Sequence, residues 1–214
     1  MKPTIIEKDR PRGRPADRGQ PDLKTAILNQ AEDCFAENGY TASSVRVIAD
    51  QAGVNPALIH YYFGNKHSLL QQVMERALQP LMGALVSLKE SDQAPVTEIA
   101  DLLLSMVASH PNIPKLLTRE VLLPGGEMRD FFAETLAPKL GGALPALLER
   151  EKVAGRVRNK ADTPISSLLI MSLCVFPFVA RSLAEPVLGV SFDKDGIEKL
   201  SDNISDLLNK GIAA

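Results

Sequence analysis

Residues 41–70, TASSVRVIADQAGVNPALIHYYFGNKHSLL, restrict the fold more than any other stretch. Two short segments of helical apolar spacing meet at a sharp turn, and a third helix starts after them. Val45, Ile48, Ala49, Val54 and Ile59 would hold the first two together, with Ala49 small where they cross. Gly53 falls where the chain must turn, and glycine enters the left-handed region without a side-chain clash. Asn55 suits an N-cap and Pro56 the first helical position, where a missing N–H is no loss. The second helix therefore starts at about Asn55 and ends near Phe63-Gly64, giving a turn unit over about 44–63. Such a unit can offer its second helix to the major groove of DNA.

Thr41, Val45, Arg46, Ile48-Ala49, Ala52-Gly53-Val54, Ile59, Tyr62-Phe63, Lys66 and Leu69-Leu70 together resemble the DNA-binding domain of TetR-type transcriptional regulators. The resemblance covers roughly Pro21 to Met82 and does not extend beyond it. It implies a ligand-responsive regulator of transcription, a repressor that a small molecule releases from its operator. One departure is His60, where the family usually carries a tyrosine that touches a phosphate. Imidazole can still donate to phosphate, with a pH dependence of its own.

A chain of 214 residues, 45% apolar and 23% charged, has room for a small domain joined to a larger one. Aromatics are only 5% and β-branched runs are short, which leans towards helices. The expected fold is all-α, with a disordered basic arm over 1–20, a three-helix DNA-binding domain over 21–82 and a helical effector-binding and dimerisation domain over 83–214. The formal net charge of −2 hides an uneven layout, because Lys2, Lys8, Arg10, Arg12, Arg14 and Arg18 crowd the arm. Local charge, and not the total, decides whether nucleic acid is a partner.

Cys34 shares an apolar face with Leu23, Ile27 and Ala31, and Cys174 lies in an apolar run. Neither has a base within a turn to activate it, so both read as structural rather than redox-active. His60, His67 and His110 lack ligand spacing, so neither a metal site nor a cofactor is expected. The longest apolar stretch, Pro164 to Leu188, carries Pro177, Arg181, Glu185 and Pro186, and reads as a buried helix rather than a bilayer span. With no secretion signal at the start, the expected compartment is the cytoplasm.

Helices are expected over about 22–38, ended by Gly39; over 66–89, kinked or broken by Pro80 and Gly83; over 95–110; and over 112–122, stopped by Pro124-Gly125-Gly126. A further one over 127–153 has an interruption around 138–142, followed by helices over 163–188 and 193–210. Residues 166–183, apolar nearly all round, and the narrow stripe of the last helix are the expected dimer seam, with completion of the monomer core as the alternative. In TetR-type proteins the final two helices of each chain commonly form a four-helix bundle. A homodimer also suits a palindromic double-stranded operator.

Base-facing positions at the start of the reading helix are Asn55, Pro56, Ala57 and Leu58, with Tyr61 a turn later. The set is apolar enough to contact thymine methyls but not to make bidentate hydrogen bonds. Arg46 is the candidate guanine reader, with a phosphate or intradomain contact as the alternative. Ser43, Ser44, His60, Tyr61 and Lys66 are the candidate backbone contacts, the resemblance supporting the helix-start hydroxyls and Lys66 most. Sparse polar readout points to DNA shape as part of the specificity. Arg10-Pro11-Arg12-Gly13-Arg14-Pro15 looks like the core of an AT-hook, placing Arg12 and Arg14 along an A·T minor groove; a solvated, nonspecific basic tail is the alternative.

The resemblance places a small-molecule effector among the later helices. Candidate pocket residues are Leu103, Met106, His110, Leu117, Arg119, Phe131, Phe132, Met171, Cys174, Phe176 and Phe178, with His110, Arg119 or Glu120 as polar anchors for an apolar ligand. Two rivals are an architectural DNA-binding protein without effector control and a helical enzyme. The second lacks a nucleophile–base pair, metal spacing or phosphate loop, so no enzymatic activity is expected.

Overall fold

The computed structural model describes residues 20–140 and 142–211. Among the described residues the regular structure is helical, with two π-helical turns and no strand, as the spacing predicts. The N-terminal part comprises α1 (Gln20–Ala42), α2 (Val45–Gln51), α3 (Pro56–Phe63) and the long α4 (Lys66–Glu90). Then come α5 (Val96–Ser109) and α6 (Ile113–Leu117), the latter running into a π-helical turn, Thr118–Leu122. After a loop, α7 (Arg129–Phe131) leads through a second π-helical turn, Phe132–Leu136, into α8 (Ala137–Leu140) and α9 (Ala143–Val153). The chain closes with α10 (Thr163–Val179), α11 (Arg181–Leu188) and α12 (Lys194–Gly211).

Gly39 ends the first helical run of α1 as expected: its backbone (φ 77, ψ 170) is non-helical, and only a separate last turn follows. A Cβ there would also collide with the Arg119 guanidinium. Two expectations, for α4 and for the helix over 163–188, are corrected here. Helix α4 runs unbroken through Pro80 and Gly83. Both residues lie on the exposed side, so the lost hydrogen bond to the Arg76 carbonyl is the main local penalty. The stretch expected as one helix over 163–188 is two, α10 and α11, bent by 76°. Pro177, one turn before the bend, removes an N–H and crowds the carbonyl four residues back. No single helix among the described residues is long and apolar enough to cross a membrane.

α4 is the beam that both parts share. Its first half buries Leu69, Leu70, Val73 and Met74 against α1, which buries Ile27, Ala31, Cys34 and Phe35, and against α3, which buries Ile59. Its second half buries Leu78, Leu81, Leu85 and Leu88, with α5, α8 and α9 alongside. A buried carboxylate latches the far end. Glu151, 1% exposed, accepts from the Ala94 N–H (3.0 Å) between α4 and α5 and from Arg156 Nη2 (3.0 Å). Arg150 beside it donates to the Leu88 and Lys89 carbonyls (3.0 and 2.9 Å), capping α4. α12 lies along α5 and turns Ile204 and Leu208 inward, with Ile197 and Leu200 half-buried. Most of its apolar stripe thus completes this chain's own core.

Candidate nucleic-acid interface and effector cavity

The turn unit is assembled from local rules. Ser44 caps α2 by accepting the Val47 N–H (3.2 Å), and Asn55 caps α3 by accepting the Ala57 N–H (2.9 Å). Between them Gly53 sits at φ 67, and Val54 donates to the Ala49 carbonyl at 2.9 Å. Nothing lies within 4 Å of a Cβ at Gly53, so conformation and not space requires glycine there. Ile59 and Phe63, one turn apart on α3, point into the core. The 3.6-residue period then leaves Asn55, Ala57, His60 and Tyr61 exposed, the last by 78%, with Pro56 and Leu58 half-buried. Tyr62 is half-buried and its ring meets both Tyr61 and Phe63 edge-on.

Arg46, on α2, is exposed and has no hydrogen bond or ion pair with any described residue. His60 is exposed, and its Nδ1 lies 2.9 Å from the Gly64 carbonyl. A carbonyl only accepts, so Nδ1 carries the proton, and Nε2 becomes a donor only when the ring is charged. Arg12 and Arg14 lie outside the described residues.

Two candidate phosphate contacts, Ser43 and Lys66, are turned inward. Ser43 is buried, and its hydroxyl donates back to the Gly39 carbonyl at 2.7 Å while Cys34 Sγ approaches at 3.4 Å. It therefore closes the corner between α1 and α2 and cannot reach outward. Lys66 donates to the Tyr40 and Ser43 carbonyls (2.8 and 2.9 Å), with its ammonium 4.1 Å from the Tyr40 ring centroid. It pins the end of α1 to the start of α4. Sequence spacing cannot distinguish a lysine pointing at DNA from one curled onto its own carbonyls.

Tyr40 is also where the two parts of the chain meet. Its N–H donates to the buried Glu120 carboxylate at 2.9 Å, from the π-helical turn after α6. Burial, with Glu127 and Glu120 nearby, pushes the Tyr40 phenol above its ordinary value, so the ring stays neutral. A second tie joins α1, α4 and the end of α5: Glu32 Oε2 lies 3.0 Å from Arg76 Nη2 and 3.2 Å from His110 Nδ1.

Behind these ties lies a cavity of about 270 Å3. Leu78, Leu81 and Leu85 of α4, Ile99, Leu103 and Met106 of α5 and Leu117 of α6 form one side. Phe132, Ala137, Leu140, Leu144, and Met171 and Val175 of α10 form the other. No lining side chain carries a charge or a hydrogen-bonding group, so the space suits an apolar occupant.

Of the pocket candidates, Leu103, Met106, Leu117, Phe132 and Met171 line this cavity. The other pocket candidates lie elsewhere. On α10 the period that turns Met171 and Val175 to the cavity buries Cys174 and Phe178 in neighbouring core and leaves Phe176 64% exposed. Phe178 meets Phe192 at 5.2 Å between centroids. Burial, and to a lesser degree Asp101, pushes the Cys174 thiol up to about 12, so it is inert. Phe131 is half-buried and outside the lining. Arg119 is half-buried beside Gly39 and Glu120 holds Tyr40, so neither lines the cavity, while His110, next to Glu32, lines a separate cleft between α4 and α5. Ile99, Val175 and the cavity positions on α4, α8 and α9 are not among the sequence candidates, because apolar residues at helical spacing read as ordinary core.

Two capped helices around a left-handed glycine, with a mostly apolar leading edge on the second, define a helix-turn-helix DNA-binding protein with a helical body attached. The model of "Bacterial regulatory proteins, tetR family" matches residues 27–73, from α1 into α4. The chain is 27% identical over 207 residues to the "HTH-type transcriptional repressor NicS" of Pseudomonas putida, covering 94% of this chain and 95% of that one. The chain thus carries a tetR-family DNA-binding domain. Its fold is that of the ketosteroid transcriptional regulator KstR2 of Mycobacterium tuberculosis (TM-score 0.72, 16% identity, covering 92% of this chain and 97% of that one). It is also that of FadR from Bacillus subtilis, solved with stearoyl-CoA (TM-score 0.66, 23% identity, 88% and 98% covered).

Proposed function

We propose that this regulator is a homodimeric repressor, released from a palindromic operator when an apolar small molecule occupies the cavity between α4, α5, α6 and α10. The observation that carries this reading is the wholly apolar lining of that cavity, one residue of which, Leu117, directly precedes the turn that holds Tyr40. An occupant shifts the spacing of two reading heads only through a difference in affinity between two arrangements, and this wall offers a route for it. FadR of Bacillus subtilis, of the same fold, was solved with stearoyl-CoA, which is in keeping with an apolar effector.

Dimerisation is supported by the outer face of α10 and α11, where Leu168, Leu169, Phe176, Leu183, Val187 and Leu188 are each more than half exposed. So much clustered apolar surface in one chain marks a partner surface. The domain division at about residue 82, the cytoplasmic location that reading genomic DNA requires, and the absence of a catalytic role all belong to this proposal. So do the DNA contacts: Arg46 for guanine; Asn55, Pro56, Ala57, Leu58 and Tyr61 for base edges; Ser44 and His60 for phosphate; Arg12 and Arg14 for the minor groove.

Selection of bound duplexes from a random pool, at stated salt, tests the proposal. The expected result is an inverted repeat with half-sites about one helical turn apart, whose complex with the protein dissociates when a compound that enters the cavity is added. Recovery of unrelated duplexes, or of an operator no cavity-binding compound releases, overturns it.

A further inference from the structure

A smaller cleft of about 120 Å3 opens on the surface between α4 and α5, and it shares two wall residues, Leu81 and Met106, with the apolar cavity. Its remaining lining is mixed, and includes Ser105, Ser109 and His110. We propose that cleft and cavity are two halves of one site for an amphipathic ligand, an aliphatic chain carrying an anionic or hydrogen-bonding head. The chain lies in the cavity, the head beside Ser105, Ser109 and His110, and the Leu81–Met106 pair forms the neck between them. The inference rests on the effector reading above and specifies the ligand's chemistry and its way in.

The division follows from what each chamber can satisfy. The inner one offers no hydrogen-bonding side chain, so a buried head there would lose its water without compensation. The outer one offers the exposed Ser105 hydroxyl, which has no partner among the described residues, and the Ser109 hydroxyl, which donates to the Ser105 carbonyl. It also offers His110, whose Nδ1 is held by Glu32 while the opposite ring nitrogen has no partner among the described residues. The neck can yield. Met106 is unbranched with three rotatable bonds, and α4 lacks a hydrogen bond at Pro80, which lines the cleft.

The head would also meet the tie to the reading head. Glu32 of α1 depends on Arg76 and His110, and the buried Nε of Arg76 has no acceptor among the described residues. A head that accepts the His110 Nδ1–H does so in place of Glu32. Ligand binding then loosens α1 from the end of α5, the direction that release of DNA requires.

Decanoate and cyclohexane are the probes, one with an anionic head and one without, titrated into the full chain by calorimetry and thermal shift. His110→Ala removes the proposed partner, and Ser105→Asp puts a repelling carboxylate at an exposed position that folding tolerates. Decanoate affinity should fall about tenfold in each, as loss of one charge-assisted hydrogen bond implies, while cyclohexane still stabilises both. Decanoate binding that ignores both substitutions, with cyclohexane bound as before, overturns the two-chamber site and leaves the apolar effector reading intact. Failure of both probes to bind the wild-type chain overturns the two-chamber site and the cavity's role together.

Discussion

Glu120 and Tyr40 meet across 80 residues of sequence through one hydrogen bond, the Tyr40 N–H to a buried carboxylate oxygen at 2.9 Å. The acceptor belongs to a π-helical turn that continues from the cavity wall, and the donor belongs to the corner that Lys66 fastens to α4. Glu120→Ala leaves that N–H without its acceptor, at about 1–3 kcal/mol if it stays buried. The expected outcome is a lower thermal midpoint together with weaker operator binding in the absence of effector. Glu120→Gln keeps an acceptor and should lose less of both. Equal behaviour of the two variants with wild type would show that the contact carries no coupling.

Gly53 adopts φ 67 with open space around it. Gly53→Ala therefore meets no clash, only the cost of a left-handed alanine, about 1–2 kcal/mol. Chemical denaturation should register that loss, while operator affinity under conditions where the variant is folded stays near that of wild type.

Hydrogen bonding from Arg156, reinforced by the Ala94 N–H and the charge of Arg150, holds the Glu151 carboxyl below its ordinary value against the opposing effect of burial. A carboxyl lowered on folding contributes stability at pH values above its unfolded pKa, and that contribution is lost as pH falls through the folded value. Thermal midpoints measured from neutral pH down through the carboxylate range should fall less steeply in Glu151→Gln, from a lower starting point.

Leu168 and Phe176 are 63% and 64% exposed on α10. Leu168→Glu and Phe176→Glu should produce monomers by sedimentation, with cooperative unfolding retained and operator affinity sharply reduced, because a lone head reads only one half-site. A dimer that survives both changes would place the seam elsewhere.

Deleting residues 1–19 tests the arm. If Arg12 and Arg14 lie in an A·T minor groove, the loss of affinity is larger for operators with A·T flanks than with G·C flanks. Equal losses at matched salt would reduce the arm to nonspecific attraction.

Local chemistry made the reading head legible. Ser44, Gly53, Asn55 and Pro56 act on their own backbone or that of close neighbours, so their residue types announce caps and turn before any tertiary contact exists. The inward period of Ile59 and Phe63 likewise assigns the opposite edge of α3 to a partner. Tertiary structure decided what depends on direction and distance. It turned Ser43 and Lys66 inward, ran α4 straight through Pro80, bent α10 from α11, and put Met171 beside the cavity while Phe176 faces out. Apolar residues at helical spacing are chemically alike whether they fill a core, line a cavity or meet another chain, and only the packing of neighbouring helices separates the three.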